Sequence, residues 1–132
     1  MSAPSPGPKY SNANDRTPAI LVVENEILIR LAISDYLREC GFKVYEAGSS
    51  GEAIEIFQSN RAAIDLVFTD VRLPDAMDGF GLAQWVRQNR PGVRVILTSG
   101  DNEKSEAAKG LCEKRALFRE ALRRETRCRA GS

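Results

Sequence analysis

Three apolar runs in this sequence each end on polar side chains that could carry chemistry. Glu24 and Asn25 follow the first run, Asp70 follows the second and Thr98 follows the third. Carboxylate and amide oxygens suit a hard divalent cation such as Mg²⁺. A neighbouring hydroxyl can bond a phosphoryl oxygen, and a carboxylate can accept a phosphoryl group. These residue types predict phosphoryl transfer onto a carboxylate, provided that the fold brings the three run ends together.

The order of the predicted elements supplies such a fold. Strands are expected at residues 19–23, 43–46, 65–69 and 93–97, with helices at 27–40, 52–59 and 80–90. Strands that alternate with helices indicate βαβ units, hence an α/β fold with a parallel sheet and helices on both faces. The carboxyl ends of parallel strands can converge on one crevice. We therefore expect Glu24, Asp70 and Thr98 to share that edge.

Composition excludes several classes of function. The 132 residues suit one domain, and the chain has no histidine, which removes histidine catalysis, histidine metal sites and a phosphohistidine of its own. No apolar run approaches the roughly 18 residues of a membrane span. The amino terminus is rich in Ser and Pro and does not resemble a signal peptide. The cysteines Cys40, Cys112 and Cys128 lack metal spacing, which predicts reduced thiols and a cytoplasmic location.

Charge divides the chain into three predicted parts. Residues 1–17 are expected to form a disordered arm and residues 18–112 the folded domain. Residues 113–132 have a net charge of +4, whereas the remainder has −3. The stretch 107–127 is basic and helix-favouring, and it contains no strand-like apolar run. The segment 113–132 is therefore expected to be a basic helical tail.

Four blocks of the sequence together resemble the receiver domain of two-component response regulators. They are ILVVENE at 20–26, VFTDVRLP at 67–74, MDG at 77–79 and VILTSG at 95–100. The resemblance covers roughly residues 18–112 and implies a flavodoxin-like, doubly wound sheet of strand order 2-1-3-4-5. It also implies a phosphoacceptor in phosphorelay signalling. Such a protein is not an enzyme beyond its own phosphorylation and dephosphorylation.

The same resemblance implies roles for individual residues. Asp70 would accept the phosphoryl group from a sensor histidine kinase or a phosphotransfer protein, forming an aspartyl phosphate. Glu24, Asn25, Asp70 and the main-chain carbonyl of Arg72 would hold Mg²⁺. Thr98 would be the switch residue that bonds the phosphoryl group and moves on activation.

The sequence departs from the family at Asn25 and in the tail. Asn25 stands where the family usually has an aspartate, so we expect weak Mg²⁺ binding and slow phosphorylation. The family's fifth strand ends in Lys-Pro, and its lysine pairs with the phosphoryl group. Lys114 is the candidate lysine here, but it follows Thr98 too closely for a helix and a strand to fit. The fifth strand is therefore expected to be missing or altered, which would leave the edge beside the fourth strand open to another chain, such as a second copy.

The tail also has a genetic interpretation. Residues 119–125 can be encoded by CGC GAA GCC CTA CGA CGC GAG, which spells Ala-Lys-Pro-Tyr-Asp-Ala when read one nucleotide later. A frameshift after Glu113 would thus replace the family's signature. A natural, divergent helix is the alternative.

Four functions are compared. The first is a stand-alone phosphoacceptor that acts on an unknown downstream protein, and the second is a degenerate pseudo-receiver that binds proteins without phosphorylation. A phosphatase using Asp70 as its nucleophile would need a second acid two positions on, where Arg72 stands. The basic tail attracts nucleic acid in principle, but it lacks interleaved aromatic residues. We therefore expect neither nucleic-acid nor membrane binding.

Overall fold

The computed structural model describes residues 17–59 and 63–131, and the side chains of these residues as far as Leu117. Four strands alternate with four helices in this part of the chain. They are β1 (Ala19–Val23), α1 (Ile27–Glu39), β2 (Lys43–Ala47), α2 (Ser50–Gln58), β3 (Leu66–Asp70), α3 (Gly79–Asn89), β4 (Arg94–Thr98) and α4 (Asp101–Gly131). The predicted arm at 1–17 lies, except for Thr17, outside the described residues.

The strands form one parallel sheet of order β2-β1-β3-β4. This order confirms the predicted flavodoxin-like, doubly wound fold. No fifth strand exists among the described residues, as the sequence of the tail predicted. Strand β4 is therefore an edge strand.

Two hydrophobic cores lie on opposite faces of the sheet. Because side chains alternate along a strand, Leu21 and Val23 of β1 enter a core shared with α2 and α3, whereas Ile20 and Val22 enter a core shared with α1 and α4. Every residue of β1 is buried. This burial explains why its sequence is apolar without interruption.

Helix α4 is a single element of 31 residues. It begins at Asp101, six residues before the predicted helical run at 107–127. Ala108 and Leu111 attach it to the second core. At about 1.5 Å per residue the helix is about 46 Å long, so it extends far beyond the five-residue strands. Despite this length it is polar, and no helix in the described ranges is apolar enough to cross a membrane.

A disulfide bond joins Cys40, which directly follows α1, to Cys112 in α4. The expectation of reduced thiols for these two cysteines was therefore wrong. The cysteines are 72 residues apart in sequence, and their Cα atoms are 5.4 Å apart because α4 packs beside α1. Spacing along the chain could not reveal this pairing, since it depends on how two distant helices pack.

We expect the disulfide to contribute about 2 to 4 kcal/mol to the free energy of unfolding, because it closes a long loop in the unfolded chain. Urea unfolding followed by circular dichroism, with and without dithiothreitol, measures this contribution. The Cys40→Ser variant should be less stable by a similar amount and should not respond to the reductant. An equal response of wild type and variant would show that the stabilising bond lies elsewhere.

Candidate functional site

The carboxyl edge of the sheet collects the predicted acidic and hydroxyl residues. Glu24 directly follows β1, Asp70 ends β3 and Thr98 ends β4, with Asp70 paired to Thr98 in the strand register. All three are buried. A cleft of about 290 Å³ opens beside Glu24 and Asp70, and Asn25 and Arg72 contribute to its lining. The structure thus brings together every residue of the predicted phosphoacceptor and metal set.

Lys104 completes the site, and sequence analysis did not find it. This residue lies in the first turn of α4, and its side chain is only 8% exposed. Its Nζ is 3.0 Å from Asp70 Oδ1 and 3.2 Å from Glu24 Oε1. Lys104 continues the inward-facing stripe of Ala108 and Leu111 at helical spacing. That pattern is the signal that could have identified it, had the helix start been placed at Asp101.

The protonation of Lys104 is set by its neighbours. Burial by itself would lower the pKa of the Lys104 ammonium. The hydrogen bonds to Asp70 and Glu24, together with their Coulombic attraction, outweigh burial and raise the pKa of Lys104 above its usual value of 10.5. The site therefore holds a charged ammonium between two carboxylates at neutral pH.

Lys114, the lysine predicted to pair with the phosphoryl group, lies at the opposite end of the sheet. It lines a separate cavity of about 520 Å³ with Pro18, Asp65 and Arg94, which lie at the amino ends of strands. Helix α4 runs away from the carboxyl edge, so ten further residues carry Lys114 about 15 Å along the helix axis from Lys104. Lys104 occupies the position that was predicted for Lys114.

The oxygen atoms at the site are of the type that binds Mg²⁺. Apart from the Lys104 ammonium, neither Glu24 Oε1 nor Asp70 Oδ1 has a polar partner among the described residues, and both are buried. The exposed amide of Asn25 and the Arg72 main chain adjoin them. This oxygen-only set fits a hard cation. It carries only two formal negative charges, however, and the described part of the chain contains no metal-binding cluster of three Asp, Glu, His or Cys residues.

Backbone contacts fix the orientation of Asp70. The main-chain N–H of Arg72 donates to Asp70 Oδ2 at 3.2 Å. Gly79 donates its N–H to the carbonyl of Val71 at 2.7 Å. A Cβ atom at Gly79 would lie 2.4 Å from the Asp70 carbonyl oxygen, so no side chain fits there. The glycine of the MDG block therefore allows α3 to begin directly against Asp70.

Thr98 has its side chain inside the protein. It is 1% exposed, and its Oγ1 donates a hydrogen bond of 3.4 Å to the carbonyl of Thr69. After Thr98 the chain turns into α4 through Gly100, which has a φ of +94°. Glycine adopts this left-handed conformation without the steric cost that other residues incur. The turn places Lys104 under the cleft within six residues of the strand end.

The loop between β3 and α3 is held by Asp75. One carboxylate oxygen accepts from the N–H of Gly51 at 3.0 Å, and the other accepts from the N–H of Ser50 at 3.3 Å. These groups lie in the first turn of α2, where N–H groups lack partners within the helix. The hydrogen bond from Gly51 is the main reason that the pKa of Asp75 is lowered from 3.8. Asp75 thus connects the loop after Asp70 to a second helix.

Comparison with known proteins agrees with this geometry. The family model of the response regulator receiver domain matches residues 20–117. The chain therefore belongs to the receiver domain family of two-component response regulators. Members of this family are phosphoacceptors.

The chain is 36% identical to the sensor kinase CckA of Brucella abortus over 81 residues, which cover 61% of this chain and 8% of CckA. The chain thus spans only a small part of such curated relatives. A receiver protein from Sinorhizobium medicae has 33% identity and a TM-score of 0.59, over 64% of this chain and 68% of that one. The regulator TrrA of Thermotoga maritima, solved with Mg²⁺ and BeF, has 28% identity and a TM-score of 0.58, over 70% and 78% respectively.

Replacing Lys104 by Met should leave two buried carboxylates without their cation. We expect a loss of about 3 kcal/mol in the free energy of unfolding in buffer without divalent ions, since the carboxylates would stay buried without a compensating positive charge. Mg²⁺ should restore part of this loss in Lys104→Met and stabilise the wild type less. Urea unfolding at several Mg²⁺ concentrations measures both effects. The exposed Lys109→Met is the matched control, and equal behaviour of the two variants would contradict the assignment.

The lowered pKa of Asp75 predicts a pH-dependent contribution to stability. Its carboxylate stabilises the fold at pH values above 3.8, and this contribution is lost as the pH falls through its lower folded-state pKa. We therefore expect Asp75→Asn to be less stable than wild type at neutral pH and the difference to shrink in acid. Unfolding midpoints between neutral and strongly acidic pH test this. A difference that is constant over the whole range would refute it.

Proposed function

We propose that the chain acts in the cytoplasm and accepts a phosphoryl group on Asp70 from the phosphohistidine of a sensor histidine kinase or phosphotransfer protein. The observation that carries this proposal is the buried Asp70 carboxylate at the head of a cleft, with the Lys104 ammonium 3.0 Å away. A carboxylate with an adjacent fixed positive charge is prepared to carry the additional negative charge of a phosphoryl group.

The chemistry assigns a role to each group. An Asp70 carboxylate oxygen would form the new bond to phosphorus, and the phosphorus–nitrogen bond of the donor would break, leaving the donor imidazole. The N–H of Arg72 holds Asp70 Oδ2 in place, and Lys104 would pair with the charge of the transferred group. Thr98 would turn its hydroxyl from Thr69 toward a phosphoryl oxygen. Glu24, Asn25, Asp70 and the Arg72 carbonyl would hold Mg²⁺, which neutralises phosphoryl charge when bound.

An exposed apolar surface beside the site supports a protein as the donor. In the first turns of α1, Ile27 and Leu31 are 61% and 43% exposed, and Leu28 is 81% exposed. The buried residues of α1 are Ser34 and Leu37. The apolar patch of Ile27, Leu28 and Leu31 begins three residues after Glu24, so a protein docked on it would meet the cleft. Exposed apolar patches next to a polar site favour a protein partner.

The degenerate pseudo-receiver remains the second candidate, and one observation favours it. Lys104 bridges Glu24 as well as Asp70 and so lies between the two carboxylates that would hold a cation. Asn25 adds no charge to draw Mg²⁺ into competition with this ammonium. A chain in this state would bind partners through the same patch without phosphorylation.

Incubation with Mg²⁺ and acetyl phosphate, followed by intact mass spectrometry, distinguishes the two functions. We expect wild type to gain one phosphoryl group and Asp70→Asn to gain none. Asn25→Asp should bind Mg²⁺ about tenfold more tightly in calorimetry, as one added ligand charge allows, and should be labelled faster. Folded wild type that gains no mass, while Asn25→Asp does, would identify a pseudo-receiver inactivated at this position.

A further inference from the structure

The two edges of the sheet differ in how their main-chain groups are protected. At the β2 edge, the Arg38 guanidinium donates to the carbonyl of Val44 at 3.1 Å and pairs with Glu46 at 3.0 Å. Arg30 also pairs with Glu46 at 3.3 Å. Charged side chains of this kind prevent edge strands from pairing with other chains. The β2 edge is thus closed to further strands.

The β4 edge has no such protection. The N–H of Arg94 bonds to Asp65, and the carbonyl of Thr98 accepts from Val71, so both residues direct their main-chain groups toward β3. Because these groups alternate in direction along a parallel strand, Val95 and Leu97 direct theirs to the outside. In the described ranges no strand or side chain bonds to these outer groups.

Opposite charges lie at the two ends of this open edge. Arg94 and Lys114 are exposed at the amino end, and neither forms an ion pair with another described residue. Asp101 is exposed at the carboxyl end. The sequence of α4 continues this separation, with a net charge of −2 over residues 101–113 and +5 over residues 114–131. The β4 edges of two copies are therefore complementary in charge only when their strands run antiparallel.

We propose that the chain forms a two-fold homodimer in which the β4 strands of two copies pair antiparallel. With Ile96 on the axis, Val95 lies opposite Leu97 of the second copy and Leu97 lies opposite Val95. Both members of each pair direct their N–H and carbonyl groups outward, as a hydrogen-bonded antiparallel pair requires. The basic amino end of each copy then lies beside the acidic carboxyl end of the other.

The same geometry explains why assembly stops at two copies. A two-fold interface uses the same surface on both partners and is closed. The outer edges of the resulting eight-stranded sheet are the two β2 strands, which Arg38 and Glu46 protect. Parallel pairing of the β4 strands would instead place like charges side by side, which costs energy.

Sedimentation equilibrium of the wild type tests the proposal, up to a concentration of about 100 µM. We expect a dimer at about 50 mM salt that weakens at about 500 mM, where exposed charges are screened. A wild type that is monomeric throughout would overturn the proposal, and the edge would then serve a different chain. The fold of each variant described below is checked by circular dichroism.

Charge exchange makes the test specific to the antiparallel arrangement. The double variant Arg94→Glu/Lys114→Glu and the single variant Asp101→Lys should each dimerise at least about tenfold more weakly, since like charges then meet at both ends. A mixture of the two variants should form the heterodimer, because their ends are complementary again. Lys43→Glu at the β2 edge is the matched control and should leave dimerisation unchanged. Dimers that form equally well in every sample would overturn the assignment of this interface.

Discussion

The contact on which this structure depends is that of one lysine ammonium with two buried carboxylates. Glu24 follows β1 and Asp70 ends the neighbouring strand β3, so the fold brings their charges together, and burial prevents water from screening them. The Lys104 ammonium compensates the repulsion between the two carboxylates, because its Nζ lies within 3.2 Å of an oxygen atom of each. Phosphoryl transfer would use the same arrangement, because a phosphoryl group on Asp70 adds negative charge where a cation is already fixed.

The position of Lys104 in a helix has consequences for the rest of α4. A lysine in the first turn after β4 reaches the site only if the helix starts at once, which the positive φ of Gly100 permits. The helix then runs along the sheet and leaves it, and no strand in the described part of the chain covers the outer edge of β4. Ala108, Leu111 and the disulfide from Cys112 to Cys40 hold the helix against α1 and the second core. The missing fifth strand and the unusual source of the lysine are thus one structural feature.

Sequence reasoning succeeded where the signal is local. All four strands were predicted, three of them from apolar runs, and the ends of these three runs predicted Glu24, Asp70 and Thr98 at one edge. It failed where the answer depends on packing between distant elements. The cysteines pair across 72 residues. Lys104, and not Lys114, reaches the two carboxylates.

The charge pattern of α4 separates the chemistry of the site from the assembly of the chain. All groups assigned to phosphoryl transfer lie between Glu24 and Lys104, at the carboxyl edge of the sheet. The basic half of α4 begins only after Glu113, and its described side chains, at residues 114–117, do not line the cleft. In the antiparallel β4 dimer, this positive charge would lie beside the acidic carboxyl end of the second copy and would stabilise the dimer. The two sites remain connected through β4 itself, since Thr98 ends the strand that would form the interface, and a movement of Thr98 would therefore act on both.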